Sequence, residues 1–108
     1  MANTFKNHFL KNANTTSQNV YAAGAGVQAT VIGMSIGNTT SAPITANVIL
    51  ISSGTSFFML QGATIATGGA LVPIGGDQKL VLEAGDYIQV QTSGANSADV
   101  ILSVLEIT

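Results

Sequence analysis

Short runs of β-branched and aliphatic residues, cut at near-regular intervals by Gly, Asn and Ser, constrain this chain more than any other feature. "SQNVYAA" (17–23) is followed by "GAG", and "VQATVIGMSIGN" (27–38) by "NTTSAP". "ITANVILIS" (44–52) is joined through "SSGT" to "SFFMLQGATI" (56–65). The pattern continues through "ALVPI" (70–74), "KLVL" (79–82), "YIQVQT" (87–92) and "DVILSVLEI" (99–107), separated by "GGDQ", "EAGD" and "SGANSA". Each break supplies turn chemistry: Gly for positive φ, Asn and Asp for local side-chain bonds, and Pro43 at the mouth of a strand. No window carries a helical period. About eight short strands at this spacing predict an all-β fold, a single antiparallel β-sandwich of jelly-roll type. An immunoglobulin-type sandwich is the runner-up, but its buried Trp and Cys pair are missing. Strict alternation through 27–38 puts Val27, Ala29, Val31, Gly33, Ser35 and Gly37 on one face and the intervening residues on the other.

The segment before the first run reads differently. Residues 1–14 show only loose amphipathicity, with Phe5, Phe9 and Leu10 able to form one face of a turn or strand. They are read as an N-terminal arm preceding a domain at 15–108. The arm either frays or lies across an adjacent surface with Phe5 and Phe9 as anchors. The opening "MANTFKNHFLKN" lacks the apolar core of a signal peptide. The run "VILI" is too short to span a bilayer, so a soluble chain with no membrane partner is expected.

Charge narrows the function classes. Charged residues make up 7% of the chain, against roughly 25% in typical soluble domains. The only cations apart from His8 are Lys6, Lys11 and Lys79. Without clustered cations there is no footprint for nucleic acid. The absence of Cys removes thiolate nucleophiles, zinc–thiolate sites and disulfides. A weakly charged, apolar-rich surface is prone to associate, so much of it is expected to be covered by other subunits.

The motifs that could carry chemistry have simpler structural readings. Glu83, Asp86 and Asp77, with Asp99 and Glu106 downstream, are all the acidic side chains in the chain. A metal site needs three or more converging oxygens, and acid–base work needs two carboxylates across a cleft. "EAGD" instead has the form of a strand-to-strand corner, Gly85 turning the chain and Asp86 accepting backbone N–H bonds. His8 is the only histidine, which leaves no Ser–His–Asp arrangement to argue for. "GGALVPIGGD" lacks the Lys-Ser/Thr ending of a phosphate loop and reads as hairpin corners. Adjacent Phe57 and Phe58 must point to opposite faces of a strand, one into the core and one toward solvent or a subunit. With Tyr87 they are also candidates for stacking on a sugar. No catalytic, metal or cofactor-binding residue is expected, and an enzyme is the least favoured class. The interface candidates are Phe5, Phe9, Leu10, Phe57, Phe58 and Tyr87.

The segments "IGNTTSAPITANV", "GGDQKLVLEAGDYIQVQ" and "ADVILSVLEI", in that order across residues 18–108, resemble a family of small structural proteins of tailed bacteriophages, particularly those of marine bacteria and cyanobacteria. The resemblance implies a jelly-roll-like virion component, often trimeric, with no catalytic residues to carry over. The expected role is a capsid decoration (cement) protein on the virion surface, assembled in the host cytoplasm. Its expected partners are its own copies, as a homotrimer, and the major capsid protein or other virion proteins. A tail, neck or fibre component of the same fold is one alternative. A carbohydrate-binding module for host adsorption is the other.

Overall fold

The computed structural model describes residues 3–74 and 79–108. Nine strands form among them: β1 (Asn3–Ala13), β2 (Gln18–Ala22), β3 (Gln28–Asn38), β4 (Ile44–Ser52), β5 (Thr55–Ile65), β6 (Ala70–Ile74), β7 (Leu80–Leu82), β8 (Tyr87–Thr92) and β9 (Ala98–Ile107). One sheet has the order β1-β9-β3-β6, with β7 also pairing β3; the other has the order β2-β8-β4-β5. All pairings are antiparallel. Except at the β4–β5 hairpin and between β6 and β7, each strand is followed by one in the opposite sheet. That interleaving defines the jelly roll. β6 and β7 lie end to end along β3, so together they fill the place of one strand.

The expected strands are present within a residue or two of their predicted limits, because local signals set them. In the β4–β5 hairpin Ser52 pairs with Thr55 across Ser53 (φ 52°) and Gly54 (φ 77°). Two successive positive-φ residues match the right-handed twist of the strands they join. At "NTTSAP", Asn38 is buried and acts as a hub. Its Nδ2 donates to the carbonyls of Ala42, Ile65 and Ala66, while its Oδ1 accepts from the N–H and hydroxyl of Thr40. The expected "GGDQ" turn at 75–78, with Asp77, lies outside the described residues.

Two expectations are corrected. The supposed arm is strand β1, paired with β9 from Asn3↔Ile107 to Leu10↔Val100. Its inward positions are mostly polar (Thr4, Lys6 and His8 before Leu10), which is why no apolar alternation announced it. Strict alternation in β3 also fails. A bulge between Val31 and Gly33 inserts Ile32 and switches parity, so Ala29 and Val31 are buried before it and Met34, Ile36 and Asn38 after it. One extra residue in a strand reverses the face of everything beyond it.

The two inner faces close over one core. Val31, Ile36, Leu82, Val100, Leu102 and Val104 meet Val48, Ile65, Ile88 and Val90 there. Near one end Ser97 and Thr92 are buried but hydrogen-bonded to each other at 2.7 Å, with Thr92 Oγ1 also donating to the Gly94 carbonyl. Buried hydroxyls paired in this way avoid the cost of stranded polar groups.

Candidate functional site

The acidic corner is structural. Gly85 has φ 92°, a conformation that β-carbon-bearing residues rarely adopt, and Asp86 N–H closes the turn onto the Glu83 carbonyl at 3.0 Å. The Asp86 carboxylate accepts from Glu83 N–H at 3.1 Å and from Ser52 Oγ at 2.8 Å. Gly85 N–H and the Asp86 carbonyl bind the Ala23 backbone, locking the corner to the end of β2. Glu83 borders a surface cleft of about 600 Å³ with Gly26, Val27, Gln28, Ala84, Ile107 and Thr108, in which it is the one acidic side chain. Among the described residues, no three His, Asp or Glu side chains come together as metal ligands.

A second polar cluster lies between the sheets at the β1 edge. Inward-facing Lys6 on β1 approaches Glu106 on β9 at 3.0 Å, and Tyr21 on β2 donates its hydroxyl to the other carboxylate oxygen at 2.6 Å. The His8 ring meets Tyr21 edge-on, with ring centres 4.6 Å apart. His8 Nε2 is buried and has no hydrogen-bond partner among the described residues. The hydrogen bond from Tyr21, followed by the Lys6 ammonium, holds the Glu106 carboxyl below the usual carboxylate range. Burial, followed by the bond to Glu106, pushes the Tyr21 phenol well above its ordinary value. The cluster pins β1 and β2, from different sheets, to β9. Sequence reasoning missed it because a charged pair in an unassigned strand has no visible face. The i, i+2 spacing of Lys6 and His8 was the only available signal.

The outer faces of the two sheets differ in chemistry. On the β1-β9-β3-β7 sheet, Phe5 stands beside Leu105, Leu105 beside Thr30, and Thr30 beside Val81. Four residues along β1 from Phe5, Phe9 stands beside Ile101 and Ile101 beside Ser35. Between these rows runs a lane of Asn7, Ser103 and Gly33, with Ser103 Oγ donating to Asn7 Oδ1. Phe5 is 73% exposed, Phe9 68%, Val81 62% and Ile101 49%, and these rows contain no charged side chain. The outer face of the β2-β8-β4-β5 sheet instead carries amides bonded to one another. Gln89 donates to Asn19, Asn47 donates to Gln91, and the Asn47 carbonyl oxygen accepts from Gly62 N–H.

The six interface candidates therefore do not form one surface. Phe5 and Phe9 share the apolar face. Leu10 points inward, half-buried against the core. Phe57 and Phe58 lie on the edge strand β5, opposite Leu50 and Ile49, and Tyr87 is half-buried opposite Ile51. The expectation that one of the two phenylalanines enters the core is corrected: both are about half exposed. Beyond them a bulge leaves Met59 and Leu60 to pack on the core in their place. Val72, Val81 and Ile101 are exposed apolar residues that sequence reasoning did not single out. The alternation within "DVILSVLEI" was a signal for Ile101, whose neighbours Val100 and Leu102 are buried.

At the bulged end of β1, where Asn12 has φ 58°, Phe9, Leu10, Val100 and Ile101 line a mainly apolar cleft of about 220 Å³. Lys11 and Asp99 complete its lining and pair with each other at 3.0 Å. The bond from Lys11, followed by that from Asn12 N–H, holds the Asp99 carboxyl below its usual range.

No protein-family model matches this sequence. No curated protein matches it either. Among solved structures, the fold is similar to a chain from the Bacillus endospore appendages, described as a novel family of disulfide-linked pili. The TM-score is 0.57 at 14% identity, over 98% of this chain and 88% of that one. At that identity the likeness concerns fold: an all-β sandwich of two antiparallel sheets.

Proposed function

We propose that this protein is a non-enzymatic structural subunit that works by assembly, as a capsid decoration protein of a tailed phage acting as a homotrimer. The observation that carries this reading is the pair of uncharged rows on the outer face of the β1-β9-β3-β7 sheet, with Phe5, Phe9, Val81 and Ile101 left in solvent. Monomeric proteins rarely leave such side chains in contiguous rows, and subunit surfaces commonly do. The mechanism is passive: contacts made only in the closed shell stabilise it by mass action. The choice of a virion among possible assemblies rests on the resemblance of residues 18–108 to phage structural proteins.

A pilus-like filament is the second reading, favoured by the fold shared with the endospore appendage chain. That protein's pili are described as disulfide-linked, and this chain, with no Cys, would have to assemble through non-covalent contacts alone. Two measurements separate the readings. Sedimentation of the purified chain gives a discrete trimer for the decoration protein and a concentration-dependent series for a filament. Copy counting in purified particles gives hundreds of copies in multiples of three for a decoration protein, whereas six or twelve place it in the neck or tail. A monomer that is absent from particles and filaments refutes both readings.

A further inference from the structure

The molecule carries two separate uncovered apolar features of opposite shape. One is a projection: Phe57 and Phe58, 54% and 50% exposed, flank the free edge strand β5 in the uncharged run "TSFFMLQ". The other is the concavity at the β1 bulge, lined by Phe9, Leu10, Val100 and Ile101, with the Lys11–Asp99 pair at its polar side. Its volume of about 220 Å³ exceeds the roughly 150 Å³ in which an apolar cavity accepts a benzene ring. The two features lie at opposite lateral edges of the sandwich. β1 ends one sheet and packs near β2, whereas β5 ends the other and packs near β6.

We propose that copies of this chain join head to tail, the Phe57–Phe58 edge of one copy seating in the Phe9–Ile101 cleft and on the adjoining sheet face of the next. The inference rests on the assembly reading above and specifies its contact. Charge favours a second copy as the occupant. The projection has no charge, and the cleft's ammonium and carboxylate neutralise each other, so neither side calls for a charged partner. Area agrees. The exposed parts of Phe5, Phe9, Val81, Ile101, Phe57 and Phe58 offer at most about 800 Å² together, counting a phenylalanine at up to about 250 Å². At the roughly two-thirds apolar share of a subunit interface, that corresponds to about 1,200 Å² at most, the lower end of the range of a stable contact.

A two-fold contact of either feature with itself would leave the other uncovered. A contact between unlike surfaces covers both in every junction. It closes into a ring if the rotation between copies permits and otherwise grows into a filament.

Complementation tests this directly by sedimentation and light scattering. Phe9→Ser removes the cleft wall and leaves the projection; the pair Phe57→Ser and Phe58→Ser removes the projection and leaves the cleft. Each variant alone should be monomeric, with association weakened at least tenfold. Mixed one to one, they should form a dimer that grows no further, since one intact junction remains. Circular dichroism and the thermal midpoint report folding. Should either variant unfold, Ser56→Arg on the projection and Ile101→Arg in the cleft make the same pair from exposed positions. If wild type assembles but the variants assemble equally well, or the mixture stays monomeric, the head-to-tail contact is wrong while the assembly reading stands. If wild type remains monomeric to about 1 mM, where even a weak specific contact would show, the assembly reading itself fails.

Discussion

The two outer faces of this sandwich are built on the same core yet solve the problem of meeting water differently. On the β2-β8-β4-β5 sheet, Asn19, Gln89, Gln91 and Asn47 bond across the strands, and Gln91 also donates to the Thr15 carbonyl. Those amides have exchanged bonds to water for bonds within the sheet, although Ile49, opposite Gln89, brings the half-exposed Phe58 onto the same face. On the β1-β9-β3-β7 sheet, Phe5, Phe9 and Val81 are largely exposed and Ile101 is half exposed, and in the lane between the rows Ser103 donates to Asn7. Low net charge is therefore not a uniform property of the surface. One face pairs amides across its strands, and the other presents rows of hydrocarbon to solvent.

The largest difference is expected between two adjacent residues of β9. Leu102 is fully buried and Ile101 is 49% exposed. Leu102→Ala should cost about 2–5 kcal/mol of unfolding free energy through lost transfer and a residual cavity. Ile101→Ala should cost under about 1 kcal/mol in the isolated chain and act mainly on assembly. Urea unfolding of both variants checks this. Equal losses would mean that the outer face is a second core and not a contact surface.

The polar cluster under the apolar sheet comes next in size. Tyr21→Phe removes a hydrogen bond to a carboxylate and should cost about 1.5–3 kcal/mol at neutral pH. Glu106 is depressed in the folded state, so its contribution is present above the unfolded glutamate value near 4.3 and lost as pH falls through the lower folded value. The variant lacks the largest cause of that depression, so its acid transition should move to higher pH. Tyr21 is shifted up, so its contribution is present below the free phenol value near 10 and lost as pH rises beyond it. The variant should not show that alkaline loss. Identical pH–stability curves would remove the cluster's role in pinning β1.

The smallest effect is expected on the amide face. Gln89→Ala should change unfolding free energy by no more than about 1 kcal/mol and leave the oligomeric mass unchanged. A loss of assembly in this variant would move the contact surface to the other sheet.

Much of the architecture is legible in the sequence. The strand limits of β2 through β9 followed from alternation and turn residues, and the SSGT hairpin and the Gly85 corner behaved as their residue types require. The edge strand was not legible, because its partner lies some ninety residues away and its inward side chains are polar. Lys6 and His8 make sense on the inward side of β1 only once Glu106 and Tyr21 are beside them. Nor could the phenylalanines be sorted. Their neighbour in sequence is a strand, but whether that strand is central or at the edge depends on pairings made elsewhere.

The features written in short stretches of chain are local: where strands run, where they turn, and that the fold is a sandwich with little charge. Backbone sterics and the period of two act over a few residues and leave their mark in those residues. Which apolar side chains remain exposed depends on pairings between distant strands. A bulge at Ile32 and the docking of β1 on β9 set the parity of whole faces through pairing between distant segments. No short stretch of sequence carries that register.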